Sequence, residues 1–534
     1  MDPTTRPDLK LSSPWISRLL ALAAGLAAGL AHPPFGLLPG LLGYALLMGL
    51  SDTEGPRPLR SAFFRGWLAG VGYFAIGVWW ITEAFMVDAA AHGWMAPFAL
   101  LFMAGGLALF WGLAALAYRL AAIKGPLRVL VFAGCLALAE WVRGHIFTGF
   151  PWNLPGETWA AGSAISQTAS VVGSYGLSWI TVAIAASAAL VLDAGPRRGR
   201  AIGLGLATAT LMGLVVFGAL RLGGAPAVAA DAPKIRIVQA DIDQKDKWKP
   251  ENLDQIVDTY VDLSRGDPGK PAPDIVVWPE GALPAVIDDL LAPGSPYVPR
   301  IAGALAPGQT LLLGANRMGL SASGEPDYFN SLIALRREPA GLKVTGVYDK
   351  YRLVPFGEFL PFGELATKLG IRSLVHMPED FTAGPPPTLL TPEGLPPVQP
   401  LICYEALFPG LVEGAAKRAG TRAKWLLNVS NDAWFGATSG PWQHLNIASY
   451  RAIETGLPIV RATPTGVSAV IDAQGRILAG AQLGLGESGV IDAHLPPARP
   501  PTIYNLVGES GFALMLLISA TTIVWGRYRR AVRS

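Results

Sequence analysis

Apolar residues fall in two textures along the chain. Up to about residue 222 long unbroken runs dominate: Ile16 to Ala31, Leu37 to Leu50, Gly66 to Phe85, Trp94 to Tyr118, Val129 to Phe147, Ser174 to Leu192 and Ala201 to Leu220. Each approaches the roughly 20 helical residues needed to cross about 30 Å of hydrocarbon. An eighth run, Leu506 to Trp525, stands alone ahead of the basic end Arg527, Arg529, Arg530 and Arg533. The pattern predicts an α-helical transmembrane bundle of eight spans, with 1–222 carrying seven and 503–534 carrying the last span and a tail. His32-Pro33-Pro34-Phe35-Gly36 predicts a tight turn between the first two. Because the second span follows so closely, with no small-residue cleavage site between, the first run reads as an uncleaved helix.

Between these parts, 230–497 has a different texture, in which short β-branched runs alternate with loops and amphipathic stretches. It predicts one α/β-type domain of about 260 residues, enough for a full core. Strands are expected at Lys234 to Ala240, Asp274 to Trp278, Thr310 to Gly314, Ser331 to Arg336, Leu342 to Tyr348, Val398 to Cys403, Trp425 to Val429, Pro458 to Ala462, Ser468 to Asp472 and Gly489 to Asp492. Asn252 to Ser264 and Trp442 to Thr455 have helical spacing, and Ala383 to Pro400 reads as a loop.

Composition agrees with a membrane protein. Of 534 residues, 51% are hydrophobic and only 15% charged, against roughly 25% charged in soluble domains. Mean hydropathy is +0.38. A net charge of +3 and the lack of a basic, aromatic-interleaved surface argue against a nucleic-acid partner. Lys and Arg set the orientation, since basic loops stay cytoplasmic. Arg6, Lys10 and Arg18 precede span one; Arg57, Arg60 and Arg65 follow span two; Arg119, Lys124 and Arg128 follow span four; Arg197, Arg198 and Arg200 follow span six. Both termini are therefore expected in the cytoplasm and the 230–497 domain outside it. Glu140 and Arg143, three residues apart in the fifth span, share one helix face, as an ion pair or as a contact for a lipid headgroup or domain loop.

Two cysteines, Cys135 and Cys403, exclude a disulfide framework. Cys403, Glu280 and Lys350 each stand at the end of an expected strand, where a rigid element can present a side chain to a cleft. A lone cysteine after an apolar strand is ordinarily a small hydrophobe, and a loop Glu or Lys a solvated charge. As a trio they supply nucleophilic chemistry: a thiol that needs a base, a carboxylate to take its proton, and an ammonium to neutralise an attacked carbonyl oxygen. His444 reads as structural. No metal-ligand spacing or phosphate-binding loop is present, and no cofactor is expected.

At Trp278-Pro279-Glu280, Lys350, Cys403-Tyr404-Glu405 and Asn428 to Trp434 the chain resembles the nitrilase (carbon-nitrogen hydrolase) superfamily, which implies a Glu-Lys-Cys triad on an α+β nitrilase-like α-β-β-α sandwich. With the membrane segments, the whole chain resembles the bacterial apolipoprotein N-acyltransferase family. Its further cues are Glu140-Trp141 with Arg143-Gly144, Thr148 to Trp152, Lys247-Trp248, Leu353 to Glu358 and Ser430 to Gly436. Pro464 departs from the pattern, where Asn is expected.

The resemblance implies that Cys403 takes the sn-1 acyl group of a phospholipid, typically phosphatidylethanolamine, as a thioester. The acyl group then passes to the α-amino group of the N-terminal diacylglyceryl-cysteine of an apolipoprotein. Glu280 would be the base and Lys350 the electrostatic stabiliser. Glu358 and Glu405 would orient Lys350 or shape the site, or else be surface charge; Trp248 and Tyr404 would line or gate the lipid site, or else be core aromatics. The resemblance also implies a multi-pass protein of the bacterial inner membrane with a periplasmic catalytic domain. The apolar loop Leu353 to Phe362 suits either insertion into the outer leaflet or an ordinary core loop. Two other functions fit the residues: a membrane-tethered amidase acting on small amides or nitriles with water as acceptor, and a non-enzymatic binding domain on a transporter-like body. Against the latter, charged residues in the spans lie near their ends, without a midplane relay.

Overall fold

The computed structural model describes residues 14–193, 195–224, 228–266, 271–321, 324–361, 363 and 380–532. The chain divides into two compact units, Met1–Ala225 with Thr438–Glu454 and Pro501–Ser534, and Pro226–Ala437 with Thr455–Pro500.

In the first unit every apolar run contains a helix: Pro14–Leu30, Leu42–Asp52, Pro58–Gly77, Ala96–Ala121, Arg128–Arg143, Ala169–Ser187, Arg197–Gly223 and Ser510–Ala531. Among the described residues, four helical stretches are long and apolar enough to cross a membrane: Ala89–Ala121, Ile165–Leu192, Arg197–Gly223 and Ser510–Ala531. A fifth forms if Pro58–Gly77 and Trp79–Phe85, bent by 54°, count as one span. Eight full-length spans are thus more than the helix lengths alone supply. Pro14–Leu30 has 17 residues, and Arg128–Arg143 has 16 because its apolar run continues past the helix end into a turn.

The Glu140–Arg143 pair forms. Arg143 Nε donates to Glu140 Oε2 at 3.0 Å, and its Nη2 donates to the Trp152 carbonyl at 3.1 Å. Trp111 Nε1 holds the other Glu140 oxygen at 2.6 Å. The helix Gly440–Thr455 clusters, through Glu454, with the membrane helices. Tyr450 donates to the Gly156 carbonyl at 3.0 Å, and Arg451 and the Ser174 hydroxyl both bind Glu454. His444, also on this helix, is buried with its ring 5.7 Å from that of Trp152. It belongs to this packing, as its structural reading anticipates.

The second unit holds two sheets. The strands are β1 (Lys234–Gln239), β2 (Ile275–Trp278), β3 (Thr310–Leu320), β4 (Pro326–Glu338), β5 (Gly341–Asp349), β6 (Val398–Ile402), β7 (Trp425–Val429), β8 (Ile459–Ala462), β9 (Ser468–Ile471), β10 (Ile477–Leu483) and β11 (Gly489–His494). The first sheet runs in the order β11-β1-β2-β3-β4-β5 and the second β10-β9-β8-β7-β6. β1, β2 and β3 are mutually parallel, as are β6, β7 and β8.

Alternation along each strand gives each sheet two apolar faces. Ile235, Ile237, Val277, Leu312 and Leu332 meet Ile402, Leu427, Val429, Val460 and Val470 from the other sheet, forming a sandwich core. The opposite face of the first sheet, including Val276, Trp278, Leu311 and Leu313, packs against Ile256, Val257 and Tyr260 of helix Leu253–Ser264 and Ile301 of helix Tyr297–Ala304. Ten of the strands coincide with expected ones. β10 and the helix Leu411–Ala419 are additions.

Candidate active site

Three strand ends converge. Glu280 lies two residues beyond β2, Lys350 directly after β5 and Cys403 directly after β6. β5 runs in the same sense as β2 through two antiparallel pairings, so Glu280 and Lys350 emerge at one edge of the first sheet, and the end of β6 in the second sheet brings Cys403 beside them. Gly314 in β3 makes this possible for Glu280: a methyl group on it would lie 2.6 Å from the Glu280 Cα and 2.5 Å from the Pro279 carbonyl oxygen. Gly384 stands likewise against Asp349, beside Lys350, and its amide donates to the Lys350 carbonyl at 2.8 Å.

Lys350 Nζ lies 3.2 Å from Glu280 Oε1 and 2.8 Å from Glu358 Oε1. Asn330, in β4, donates from Nδ2 to both carboxylates, at 2.6 Å to Glu280 and 2.8 Å to Glu358. The backbone amide of Asn431 donates to the second Glu280 oxygen at 2.5 Å, and the amide of Val354 to the second Glu358 oxygen at 2.8 Å. All three charged side chains are buried, so their partners are what make the arrangement tolerable. Burial pulls the Lys350 ammonium down, but the two carboxylates outweigh it and hold it above the ordinary lysine range.

Cys403 has φ +47°, a conformation costing a non-glycine residue about 1–3 kcal/mol. It opens the short turn Cys403–Leu407 and keeps part of its surface accessible. Burial pushes the thiol above its usual range and the Glu280 charge pushes it further, while Lys350 and a hydrogen bond with Ser430 pull the other way. Cys403 is therefore a raised thiol set beside a carboxylate and an ammonium. Beneath it Ser430 Oγ donates to Asp432 at 2.7 Å, Arg461 pairs with Asp432 at 2.5 Å, and Asn428 Nδ2 donates to the Leu401 carbonyl at 2.8 Å.

The remaining expected residues have separate places. Glu405 accepts from the Ile402 amide at 2.8 Å, from the Tyr351 amide and the Tyr348 hydroxyl at 2.9 Å each, and so ties the turns after β5 and β6 together. Burial raises it to about 7 against those donors. Tyr404 is buried with its ring 5.1 Å from that of Phe408. Trp248 is half exposed, and its neighbour Lys247 approaches Gly281. In the loop from Leu353, Glu358 and Leu360 turn inward while Phe356 is 60% exposed; Phe362 lies outside the described residues.

Asn330 was not among the residues expected from sequence. Its signal is faint: one amide at the start of the apolar stretch Ser331 to Leu335, directly across β4 from Lys350.

The similarities of the chain follow the same division. Residues 24–187 match the apolipoprotein N-acyltransferase N-terminal domain, and residues 234–500 match the carbon-nitrogen hydrolase domain. The chain is 57% identical to the apolipoprotein N-acyltransferase of Caulobacter vibrioides over 95% of this chain and 94% of that one. The relative of the same name from Bradyrhizobium diazoefficiens is 39% identical, over 96% of this chain and 95% of its own. That from Brucella melitensis is 40% identical over 91% of each. Sequence kinship of this extent reaches both the membrane helices and the strand-end residues, and the chain belongs to the apolipoprotein N-acyltransferase family.

Proposed function

We propose that the protein completes lipoprotein maturation by moving one acyl chain from a phospholipid to the amino terminus of a diacylglyceryl apolipoprotein, with Cys403 carrying the chain between them. The observation that supports this best is the buried cluster of Lys350 with Glu280 and Glu358, set beside a thiol that requires a base.

In the first half, Glu280 takes the Cys403 proton as Sγ attacks the sn-1 ester carbonyl of the donor, taken as phosphatidylethanolamine. Lys350 faces the oxygen that becomes negative, where a fixed charge in a dry site acts most strongly. The C–O bond then breaks, Glu280 returns the proton to the departing oxygen, and lysophospholipid leaves. In the second half the α-amino group of the diacylglyceryl-cysteine attacks the thioester, Glu280 removes an amine proton, the C–S bond breaks and the proton goes back to sulfur. Each product leaves before the next substrate reacts, a ping-pong scheme. Glu358 positions Lys350, Glu405 braces the turns on either side, and Trp248 and Tyr404 line the lipid entrance.

A thioester wasted on water would defeat the cycle, so the site belongs against acyl chains. The apolar Leu353 loop, with Phe356 outward, suits that setting. We read 1–222 and 503–534 as eight crossings and 230–497 as a periplasmic domain of an inner-membrane protein with both termini cytoplasmic. Arg57, Arg60 and Arg65, Arg119 and Lys124, Arg197 to Arg200, and Arg527 to Arg530 all fall at alternate connections, which supports this direction.

The test is incubation of the purified full chain with labelled phospholipid, followed by mass spectrometry of the Cys403 peptide. A fatty-acyl mass on Cys403, discharged by a diacylglyceryl peptide, is expected. No adduct, with ammonia released from small amides, would identify an amidase instead.

A further inference from the structure

Among the described residues, Lys247 Nζ and both polar side-chain atoms of Gln244, Nε2 and Oε1, are buried without a hydrogen-bond partner. The two residues sit three apart on the single turn Gln244–Lys247, so their side chains share one side of it. Lys247 is 2% exposed and Gln244 7%. The turn is held at its N-terminal side: the Asp241 amide donates to the Pro464 carbonyl at 2.8 Å, and the Asp243 side chain accepts from the Lys245 amide at 2.8 Å. The departure at Pro464 therefore leaves this anchor intact, since it uses only a carbonyl.

Lys247 Nζ reaches the turn that follows β2, where a methyl group on Gly281 would sit 3.5 Å from it. Glu280 is the anion that acts on it, yet both Glu280 oxygens are already engaged by Asn330, Lys350 and the Asn431 amide. The Trp248 ring, 5.8 Å away, offers only a weak cation-π contact. A desolvated ammonium lacking an anion is expensive, as is an unpaired buried amide. Such a cost is offset when a ligand brings the missing charge.

We propose that Lys247 and Gln244 form the phosphodiester subsite for the donor phospholipid, with Lys247 Nζ and Gln244 Nε2 donating to its two free oxygens and Gln244 Oε1 left to accept from a headgroup donor. This rests on the reading that Cys403 is acylated by a phospholipid. The phosphodiester is favoured over the acceptor polypeptide because the diacylglyceryl-cysteine terminus carries no anion to match Lys247. Burial lowers Lys247 towards about 8, so it remains mostly protonated at neutral pH and able to bind an anion.

The test compares Cys403 acylation of the full chain by phosphatidylethanolamine and by a phosphate-free acyl donor, a p-nitrophenyl ester of the same fatty acid. Lys247→Met is expected to lower the ratio of the two acylation efficiencies at least about ten-fold, through the half-saturating phospholipid concentration, and Lys247→Arg to recover most of it. Should Lys247→Met fail to accumulate in membranes, Gln244→Leu carries the same comparison with a smaller drop. An unchanged ratio overturns the subsite, as does a defect confined to discharge of the preformed thioester by a diacylglyceryl peptide, which would assign the pair to the acceptor. If the unaltered chain reacts with the p-nitrophenyl ester but with no phospholipid, the donor assignment itself fails and takes this proposal with it.

Discussion

Lys350 stands closer to Glu358, at 2.8 Å, than to Glu280, at 3.2 Å. Two carboxylates thus share the ammonium, one of them outside the proposed proton-transfer path, and Asn330 Nδ2 donates to both. Glu358→Gln should leave Lys350 tethered to Glu280 alone, tying up the base. Thioester formation is expected to slow by about 10²-fold, in line with loss of one charge-assisted contact at a reacting centre. Intact-protein mass spectrometry over time after lipid addition measures it; an unaltered rate would remove Glu358 from the site.

The Cys403 thiol is raised by burial and then by Glu280. Because its value lies above the usual thiol range, the thiolate fraction, and with it the alkylation rate by iodoacetamide, should climb about ten-fold per pH unit from pH 7 to 9 without levelling off. Glu280→Gln removes a negative charge from the thiol's surroundings and should speed alkylation at pH 8, while slowing acyl transfer from phospholipid. A plateau near pH 7 in the unaltered protein would mean a preformed thiolate and no need for a base.

Gly314→Ala places a methyl group 2.6 Å from the Glu280 Cα, against backbone that has no free rotor to yield. The expected result is a folded but weakened domain, with about 1–3 kcal/mol lost and Glu280 moved from Lys350. Adduct formation should fall far more than the amount of protein recovered from membranes. Equal falls in both would mean that the substitution only unfolds the chain.

Glu405 receives N–H and O–H donors on both oxygens, so Glu405→Gln must point an NH₂ at a donor whichever way the amide lies. Activity should drop by about ten-fold or more. The pH response has a definite sign. Burial raises the folded-state carboxyl to about 7, so its contribution favours the fold below the unfolded value of 4.5 and is lost as pH rises through 7. Thermal unfolding of the full chain should show a downward stability slope between pH 5 and 7 that is shallower in Glu405→Gln.

The strand ends were legible because Val-Val-Trp-Pro-Glu280 and Leu-Ile-Cys403 set one polar group after a β-branched or aliphatic run, a pattern that both folding and catalysis write in the same place. Asn330 was not, since its role depends on which strand pairs with β5, a long-range fact without local periodicity. β10 escaped for a local reason: Ala-Gly-Ala interrupts its alternation, and Gly480 has φ +73°. The helix from Gly440 was foreseen as an element, but its grouping with the membrane helices rests on Tyr450, Arg451 and Glu454 finding partners some 280 to 294 positions away in the chain. In the membrane part, apolarity marked each of the eight long helices but not where the one ending at Arg143 stops, because lipid-compatible residues continue through the turn after it.

That excursion of the chain, out of the sandwich at Ala437 and back at Thr455, bears on how the enzyme can be handled. Cutting the gene at the obvious linkers to make a water-soluble fragment would strip the Gly440 helix of the groups its tyrosine, arginine and glutamate bind, leaving ionic side chains stranded on a surface shaped to be covered. A catalytic half freed from its bilayer portion is for that reason a poor reagent, and biochemical work has to begin from intact protein in detergent or nanodiscs.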